Sequence, residues 1–587
     1  MRLVRLVQGG EAYILGVNSG PHDPSAALLR GGKLVAMIEQ ERLSRKKHAT
    51  IESPGPAIAA CLAEAGIDLG DVAEIAVGWD VPRLRTLEGS GEFDESGFRA
   101  RLLEGVPGAG GAEPPLRFVD HHIAHAASAF YTSGLKEAAI LIVDGTGEST
   151  ASMVARGGPD GIELLRTWDR PLSIGHLYGC AADWAGLGYW GAGKLMGLAS
   201  YGRPCQPAPL TVVEDGYTIA AAPQQAYPIM PFLTELRDRL HSSFNARNYP
   251  FAKGEPDDVM AYADFAASIQ RALEEVLLEL AALARRESGH SSLAFAGGVA
   301  LNCTANGALV RSGLFEEVWI PPVPHDAGVS LGAALFAARA ATPEWEAPAR
   351  LGHAFLAPDR RSSPKLDDKR LAGCEIWRAA DPELAETVAR YLSEEKLVGW
   401  WQGRAEVGQR ALGARSILCD PRGRHMLVHA NRVKGREPWR PLAPVVLAEH
   451  ADELFDGPLP AISKFMLAAW PVRPEAQARI PAAVHVDGTA RPQIVGPERS
   501  RYREVIEAFH ARTGVPAIVN TSFNLAGEPV VLSAEDAIQT FASSELDVLV
   551  LDDAIVVKPE KGGGERDADG GEPDSSGGGW PFRAKDG

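Results

Sequence analysis

The sequence predicts an α/β protein of two or three domains, and three observations lead there. At 587 residues the chain is too long for one hydrophobic core. A strand–turn–strand–turn–strand unit that begins at Tyr13 recurs from Ala138. From Glu375 a fresh alternation of helix and strand begins. The expected boundaries are a duplicated domain over residues 1–345, a linker or edge segment over 346–374, an α/β domain over 375–560 and a tail over 561–587.

The first copy reads YILGVNSGPHDPSAALLRGGKLVAMIEQ from Tyr13: strand, small polar turn, strand, RGGK reverse turn, strand. The second reads AAILIVDGTGESTASMVARGGPDGIELLRT from Ala138 in the same order, aligning Asn18 with Asp144 and Gly32 with Gly158. A Gly-rich turn that carries Asp after a buried strand, present twice, suits a split ATPase. In that design each half lends a turn to nucleotide phosphates, since Gly lets backbone amides approach an anion.

Between the copies lies VDHHIAHAASAF, Val119 to Phe130. His121 and His125 are four apart, which stacks both imidazoles on one helix face. The residue after His121 is His122, not the Glu of a zinc-protease motif. The pair is therefore metal-ligating or merely polar packing until the chain supplies further ligands. More Gly-rich turns follow. GAGKLMGLASYG sets Lys194 among small residues; LAFAGGVALNCTANGAL breaks a strand at Gly297 and Gly298 before a helix with Asn302 and Asn306; WIPPVPHDAGVSLGAALFAA places His325 and Asp326 before another helix. Together they suggest loops converging on one nucleotide.

Residues from Thr342 to Cys374 are Pro- and charge-rich, without periodicity, and read as a connector. Then PELAETVARYLSEE reads as a helix and LVGWWQG as a strand. GRAEVGQRALGARSIL supplies Arg404, Glu406, Arg410 and Arg415; NRVKGREPWRPLAPVVL supplies Lys434, Arg436, Glu437 and Arg440. HVDGTARPQIV adds Arg491, and IVNTSFNLAGEPVV adds Asn520, Thr521 and Ser522 at a strand end. Guanidinium forks pair bidentately with phosphate oxygens, so Arg beside Gly and hydroxyl groups, interleaved with apolar strands, points to a small-anion pocket.

Composition limits the alternatives. Hydrophobic content of 45% and charged content of 23% are those of a globular chain. A net charge of −17 argues against a general nucleic-acid binder. The six cysteines form no CxxC pair and read as reduced thiols. No signal-peptide core and no apolar run of about 18 residues is present, so a cytoplasmic protein without a membrane span is expected. After Lys558 the tail GGGERDADGGEPDSSGGG is too polar to pack and is expected to be disordered.

The motifs HDPSAAL, DHHIAHAASAF, VDGTGE, GKLMGLASYG, GGVALN and PHDAGVSLGAA stand in the order of one family. With the C-terminal half, they make the chain resemble the O-carbamoyltransferases of nodulation-factor and antibiotic biosynthesis. The resemblance spans residues 14–558. It implies an actin/hexokinase-like ATPase domain, similar to threonylcarbamoyl-transfer enzymes, followed by a YrdC-like domain similar to threonylcarbamoyl-AMP synthases. It also implies a divalent metal, iron(II) foremost, with magnesium or manganese as alternatives, held by His121, His125, Asp144 and Asp326. Imidazole nitrogens with carboxylate oxygens suit iron(II), manganese or zinc. Catalytic roles fall on His22, as general base for a hydroxyl, and on Lys194. Nucleotide contacts fall on Gly145, Gly147, Gly197, Gly297, Gly298 and Asn302.

The C-terminal domain is expected to bind carbamoyl phosphate and ATP through Arg410, Arg415, Lys434, Arg436, Arg440, Arg491, Asn520, Thr521 and Ser522. The implied reaction forms a carbamoyl adenylate there and passes its carbamoyl group to a hydroxyl of a secondary metabolite, on a sugar or a macrocyclic scaffold. The partners are thus carbamoyl phosphate and a hydroxylated small molecule, with no nucleic acid and no membrane, in a monomer or homodimer. Acceptor contacts are expected near His22, His121, Val81 to Pro115 and Pro207 to Phe251. EQERLSRKKH, Glu39 to His48, either lines that cleft or is a solvated charged helix. Relatives often carry an acid where this chain has Ala192, which alters the surroundings of Lys194. The rival readings are a sugar kinase, a tRNA threonylcarbamoyl transferase and a chaperone-type nucleotide-gated binder. The Arg-rich second half and the acidic net charge speak against the first two. The His121–His125 pair and that same Arg lining speak against the third.

Overall fold

The computed structural model describes residues 12–111, 113–220, 222–246, 259–342, 349–359 and 364–559. Its first sheet comprises β1 (Tyr13–Asn18), β2 (Ser25–Arg30), β3 (Lys33–Glu39), β4 (Val72–Val77) and β5 (Leu116–Phe118), in the order β3-β2-β1-β4-β5. β1 to β3 run antiparallel, whereas β4 joins β1, and β5 joins β4, in parallel. Gly31 and Gly32 make the β2–β3 turn with φ of 55° and 77°. This two-residue connection matches strand twist and is closed to most side chains.

The second lobe repeats the plan. β6 (Ala138–Val143), β7 (Thr150–Gly158) and β8 (Gly161–Asp169) are antiparallel. The strands Ser292–Ala296 and Glu317–Trp319 extend the other side of β6 in parallel. Counted within its own lobe, the order is again third, second, first, fourth, fifth. The sequence repeat is thus a repeat of fold. β6 is buried along its whole length, because helices cover both faces of the sheet. Between the lobes the Ala-rich helices His121–Tyr131 and Val329–Ala341 pack together, small side chains allowing close approach.

The C-terminal part is built on a mixed sheet of eight strands and also holds a short antiparallel pair, Trp470–Pro471 with Thr489–Ala490. From edge to edge the eight strands are Glu375–Arg378, Ala554–Val557, Val548–Leu551, Val398–Trp401, Arg415–Cys419, Ala517–Ser522, Ala443–Leu447 and Gln493–Val495. Trp400 and Trp401 lie on opposite faces and are fully buried, one in each of the layers packed on this sheet. The core runs on into the second lobe, where Trp319 meets Phe465 edge-on at 5.9 Å and the Ala469 amide donates to the Cys303 carbonyl.

EQERLSRKKH is not a solvated helix. Glu39, Gln40 and Arg42 are buried, and they join the two halves of the molecule. Glu39 accepts from the Gly408 amide at 2.5 Å, Arg42 donates to the Gly408 carbonyl at 2.6 Å, and Arg45 donates to the carbonyls of Val530 and Pro529. Charge in this segment satisfies backbone groups that contact between the domains would otherwise strand. The described part of the connector is likewise packed: the Leu356 carbonyl receives the Met37 amide, and the Ala357 amide donates to Ala405. Residues 346–348, 360–363 and the tail from 561, with the stretch 247–251 of one expected acceptor loop, lie outside the described residues. Among the described residues no helix is long and apolar enough to cross a membrane.

Candidate metal centre and anion pocket

The Asp120 side chain accepts from the amides of His122 and Ile123, and this cap starts the helix His121–Tyr131. The first turn then aims His121 and His125 at the end of β6, where Asp144 stands. Asp326 opens the short turn Asp326–Gly328 before its long helix and faces the same point. The Nε2 atom of His121 lies 3.4 Å from Asp144 Oδ2 and 3.8 Å from Asp326 Oδ1. That of His125 lies 3.7 Å from each carboxylate. Donors bound to one ion at about 2.1 Å stand roughly 3–3.5 Å apart, so small adjustments would close the four around a cation. Both Nε2 atoms are buried and otherwise unpartnered. The four residues therefore fit a divalent ion.

The surroundings support that fit. His121 Nδ1 faces the Gly78 carbonyl at 3.2 Å, so it donates there and leaves the Nε2 lone pair for the centre. Trp79 lies 3.9 Å from the His121 ring, and Glu148 accepts from the His121 amide. Burial opposes charging of His121, yet Asp326 and Asp144 outweigh it and lift the imidazole to about 9. Burial likewise opposes ionisation of Asp144, but His121 and His125 hold its carboxyl well below the usual range. Two buried carboxylates thus make a field that draws positive charge.

His22 stands at the rim. Its Nδ1 donates to Asp23 Oδ2 at 3.0 Å and lies 3.8 Å from Asp326 Oδ2. Against the burial that lowers it, Asp326 and then Asp23 raise His22 to about 9. Asp23 also bonds His48 Nδ1 at 3.0 Å through its other oxygen, so one carboxylate orients two imidazoles. His122 faces away from the centre and bonds Thr150 at 2.6 Å; burial, with His121, pushes it down to about 4. His176, a residue no motif singled out, backs Gly145 and bonds the Tyr189 hydroxyl; burial pushes it down to about 4. Glu148 was visible in DGTGE, but its bond to the His121 amide was not.

Gly145 and Gly147 form the turn after β6, beside the centre. Gly298 donates its amide to Asp144 Oδ1 at 2.6 Å. Gly297 has φ of 97°, and a Cβ there would lie 2.3 Å from the Val143 carbonyl oxygen. Asn302 is engaged elsewhere: it caps the helix Cys303–Arg311 and pairs with Gln270 through both ends of its amide. Gly197 lies under Trp439 and Pro441, and its carbonyl meets His485. Lys194 bonds Glu437 at 2.8 Å, across the domain boundary and against the loop that carries Arg436 and Arg440.

In the C-terminal domain Arg410, Arg436, Arg440 and Arg491 form one group. Burial first, then Arg491 and Arg440, pushes Arg410 down to about 9; burial, then Arg440 and Arg491, does the same to Arg436. Arg410 Nε, Arg436 Nη2 and Arg491 Nε are buried without hydrogen-bond partners. Cations held together with unused donors can receive an anion. Lys434 is buried nearby, its ammonium on Ser522 and Asn524; burial, then Arg436 and Arg440, pushes it well below the usual lysine range. Asn520 donates to the Ala411 carbonyl at 2.9 Å, with Thr521 beside it on the same strand. Arg415 stands apart: its guanidinium holds the carbonyls of Leu532, Gln402, Ala414 and Gly403.

Comparison with known proteins follows the same division. The family described as carbamoyltransferase N-terminus matches residues 13–90 and 98–335, and that described as carbamoyltransferase C-terminus matches 389–558. Nodulation protein NolNO of Sinorhizobium fredii is 37% identical over 92% of this chain and 80% of its own length. A Synechocystis protein, sll1178, is 35% identical over 94% and 98%. Nodulation protein U of Rhizobium tropici is 31% identical over 86% and 90%. Among solved structures, full-length HypF in its phosphate- and nucleotide-bound form aligns over 58% of this chain and 48% of its own, at 16% identity and a TM-score of 0.34, too weak a likeness to carry an argument. A duplicated lobe pair that gathers two histidines and two aspartates, joined to an Arg-lined sheet and matched by both family halves, belongs to the carbamoyltransferase family, and the chain is a carbamoyltransferase.

Proposed function

We propose that the chain is an ATP-dependent O-carbamoyltransferase with two successive reactions. In the C-terminal domain, read as YrdC-like, water cleaves carbamoyl phosphate to carbamate and phosphate. The carbamate oxygen then attacks the α-phosphorus of ATP, pyrophosphate leaves, and carbamoyl adenylate remains. In the N-terminal domain an acceptor hydroxyl attacks the carbamoyl carbon, AMP leaves, and an O-carbamate is formed. Adenylate is a good leaving group, which suits a weak alcohol nucleophile.

The observation that carries this reading is the set of buried, partnerless guanidinium donors on Arg410, Arg436 and Arg491, in a chain whose other half holds the His–Asp centre. Arg410, Arg436, Arg440 and Arg491 bind phosphate oxygens, and Lys434 fixes the strand end that carries Asn520, Thr521 and Ser522. Arg415 holds the surrounding loop. A divalent ion held by His121, His125, Asp144 and Asp326, iron(II) by expectation, would supply Lewis-acid stabilisation of the charge on the departing phosphate. Asp23 keeps a proton of His22 on Nδ1. An ion held by Asp326 would offset the carboxylate that raises His22, leaving Nε2 to accept the acceptor's proton as the hydroxyl attacks. Gly145 lets the backbone approach the adenylate at this turn, while the amides of Gly147 and Gly298 hold the turn itself through Thr150 and Asp144. Lys194 reaches toward both halves from its bond with Glu437. The acceptor is a hydroxylated secondary metabolite.

The test is pyrophosphate release from ATP. Carbamoyl phosphate should stimulate it, and each pyrophosphate should be matched by one carbamoylated acceptor. A kinase, or a chaperone-type ATPase, releases no pyrophosphate under these conditions; such a result would end this reading.

A further inference from the structure

Two apolar side chains at the rim of the transfer site are out of place. Ile51 is 87% exposed, and Trp190 is 55% exposed. Single exposed apolar residues are ordinary on a protein surface. These two differ, because Trp190 packs on the His22 ring and Ile51 is tied by its backbone to the residue before His22. Trp190 meets the His22 ring edge-on at 5.0 Å and stacks on His48 at 4.6 Å. The Ile51 amide donates to the carbonyl of Pro21, next to His22.

Ile51 is also strained. Its φ of 65° is a conformation that a β-branched residue rarely adopts. Arg45, His48 and Ala49 in the same loop share a positive φ. Both sides of the loop are anchored, Arg45 to Val530 and Pro529, and His48 to Asp23 and Glu41. Glycine would relieve the strain and a polar residue would suit the exposure, yet isoleucine stands there. The loop also lacks a free carboxylate for an ammonium. Glu52 is paired with Lys46, Glu41 with His48 and Arg42, and Asp23 with two imidazoles, while Lys46 and Lys47 add positive charge.

We propose that Ile51 and Trp190 form an apolar lip that seats the acceptor over His22. The acceptor is then a neutral compound with an apolar face beside its reacting hydroxyl, such as a deoxygenated sugar ring or a macrocyclic polyketide, and not a polycationic aminosugar. This rests on the reading of His22 as the base of O-carbamoyl transfer. The lip removes the apolar face from water and leaves the adjacent hydroxyl toward His22 Nε2.

The experiment uses the full chain with carbamoyl phosphate, ATP and iron(II). Four probes are compared: a methyl 6-deoxyhexoside, its fully hydroxylated counterpart, a macrolide aglycone and an aminoglycoside. Product is read by mass, and binding is read independently by equilibrium dialysis. The apolar-faced probes should bind and react best. Trp190→Ala and Ile51→Gly should each weaken their binding about tenfold or more, with Trp190→Phe retaining most of it. Pyrophosphate release reports that the variants fold, and Ile51→Gly should melt no lower than the parent, since glycine takes this φ freely. Preference for the aminoglycoside, or equal binding by parent and variants, overturns the lip. Failure of carbamoyl phosphate to stimulate pyrophosphate release overturns the underlying reaction instead, while dialysis still decides the lip.

Discussion

In the N-terminal half a few buried atoms face one another without a hydrogen-bond partner of their own. His121 and His125 offer Nε2 atoms to the carboxylates of Asp144 and Asp326. Replacing either histidine by Ala removes one donor and leaves two buried carboxylates under-compensated. We expect bound metal, measured by elemental analysis, to fall below stoichiometry, and carbamoyl transfer to be lost. Carbamoyl-phosphate-dependent pyrophosphate release should persist, because the Arg cluster lies in the other domain. A double variant that still transfers at parental rate would refute the metal assignment. His22→Asn should keep adenylate formation and acceptor binding but lower transfer by roughly a hundredfold, the usual contribution of a general base. Single-turnover assays with supplied carbamoyl adenylate would measure this directly.

His121 and His125 were legible at this scale because helical spacing is written in the sequence. His48 and His176 were not, since nothing in their local sequence says that one shares Asp23 with His22 and the other backs Gly145.

At the scale of elements, the turns after the central strands do the positioning. Gly297 takes φ of 97° as the chain leaves its strand, and a Cβ would collide with the Val143 carbonyl oxygen on neighbouring β6. Gly297→Ala should therefore destabilise the fold by about 2–4 kcal/mol, combining a disfavoured backbone with overpacking. Thermal unfolding should fall by several degrees. A melting temperature equal to the parent's would show that this turn adapts without strain. The duplicated strand order followed from two readable hairpins, and Gly31–Gly32 fixed the first as a tight connection. The segment EQERLSRKKH was ambiguous for a physical reason. Charged side chains on a helix look alike whether they meet water or another domain's carbonyls, and Arg42 and Arg45 meet carbonyls.

Across the whole molecule the His–Asp cluster and the Arg cluster lie in different halves that are joined through contacts. Lys194 of the N-terminal half bonds Glu437 beside the Arg cluster, and His485 of the C-terminal half bonds the Gly197 carbonyl. Arg491→Ala should stop adenylate formation, while supplied carbamoyl adenylate is still used for transfer. Differential scanning fluorimetry gives a second readout. Inorganic phosphate or carbamoyl phosphate should raise the melting temperature of the parent, because an anion relieves repulsion among Arg410, Arg436, Arg440 and Arg491, and should raise that of the variant less. Loss of transfer from supplied adenylate in this variant would show that the sites do not work separately.

The sequence by itself determined the duplicated lobes, the HxxxH helix face, the Asp-bearing turns and the Arg-rich second half. Each of these is a local pattern of period, turn chemistry or composition. Tertiary structure decided which of them meet. Asp326 reaches His121 and His125 because its turn opens the helix that packs on theirs. Arg415, indistinguishable in sequence from Arg410, holds four carbonyls instead of joining the cluster. Lys194 found Glu437, and Asn302 found Gln270. A side chain's partners depend on which elements the fold brings beside it. That is a property of long-range packing, which the spacing of residues along the chain does not encode.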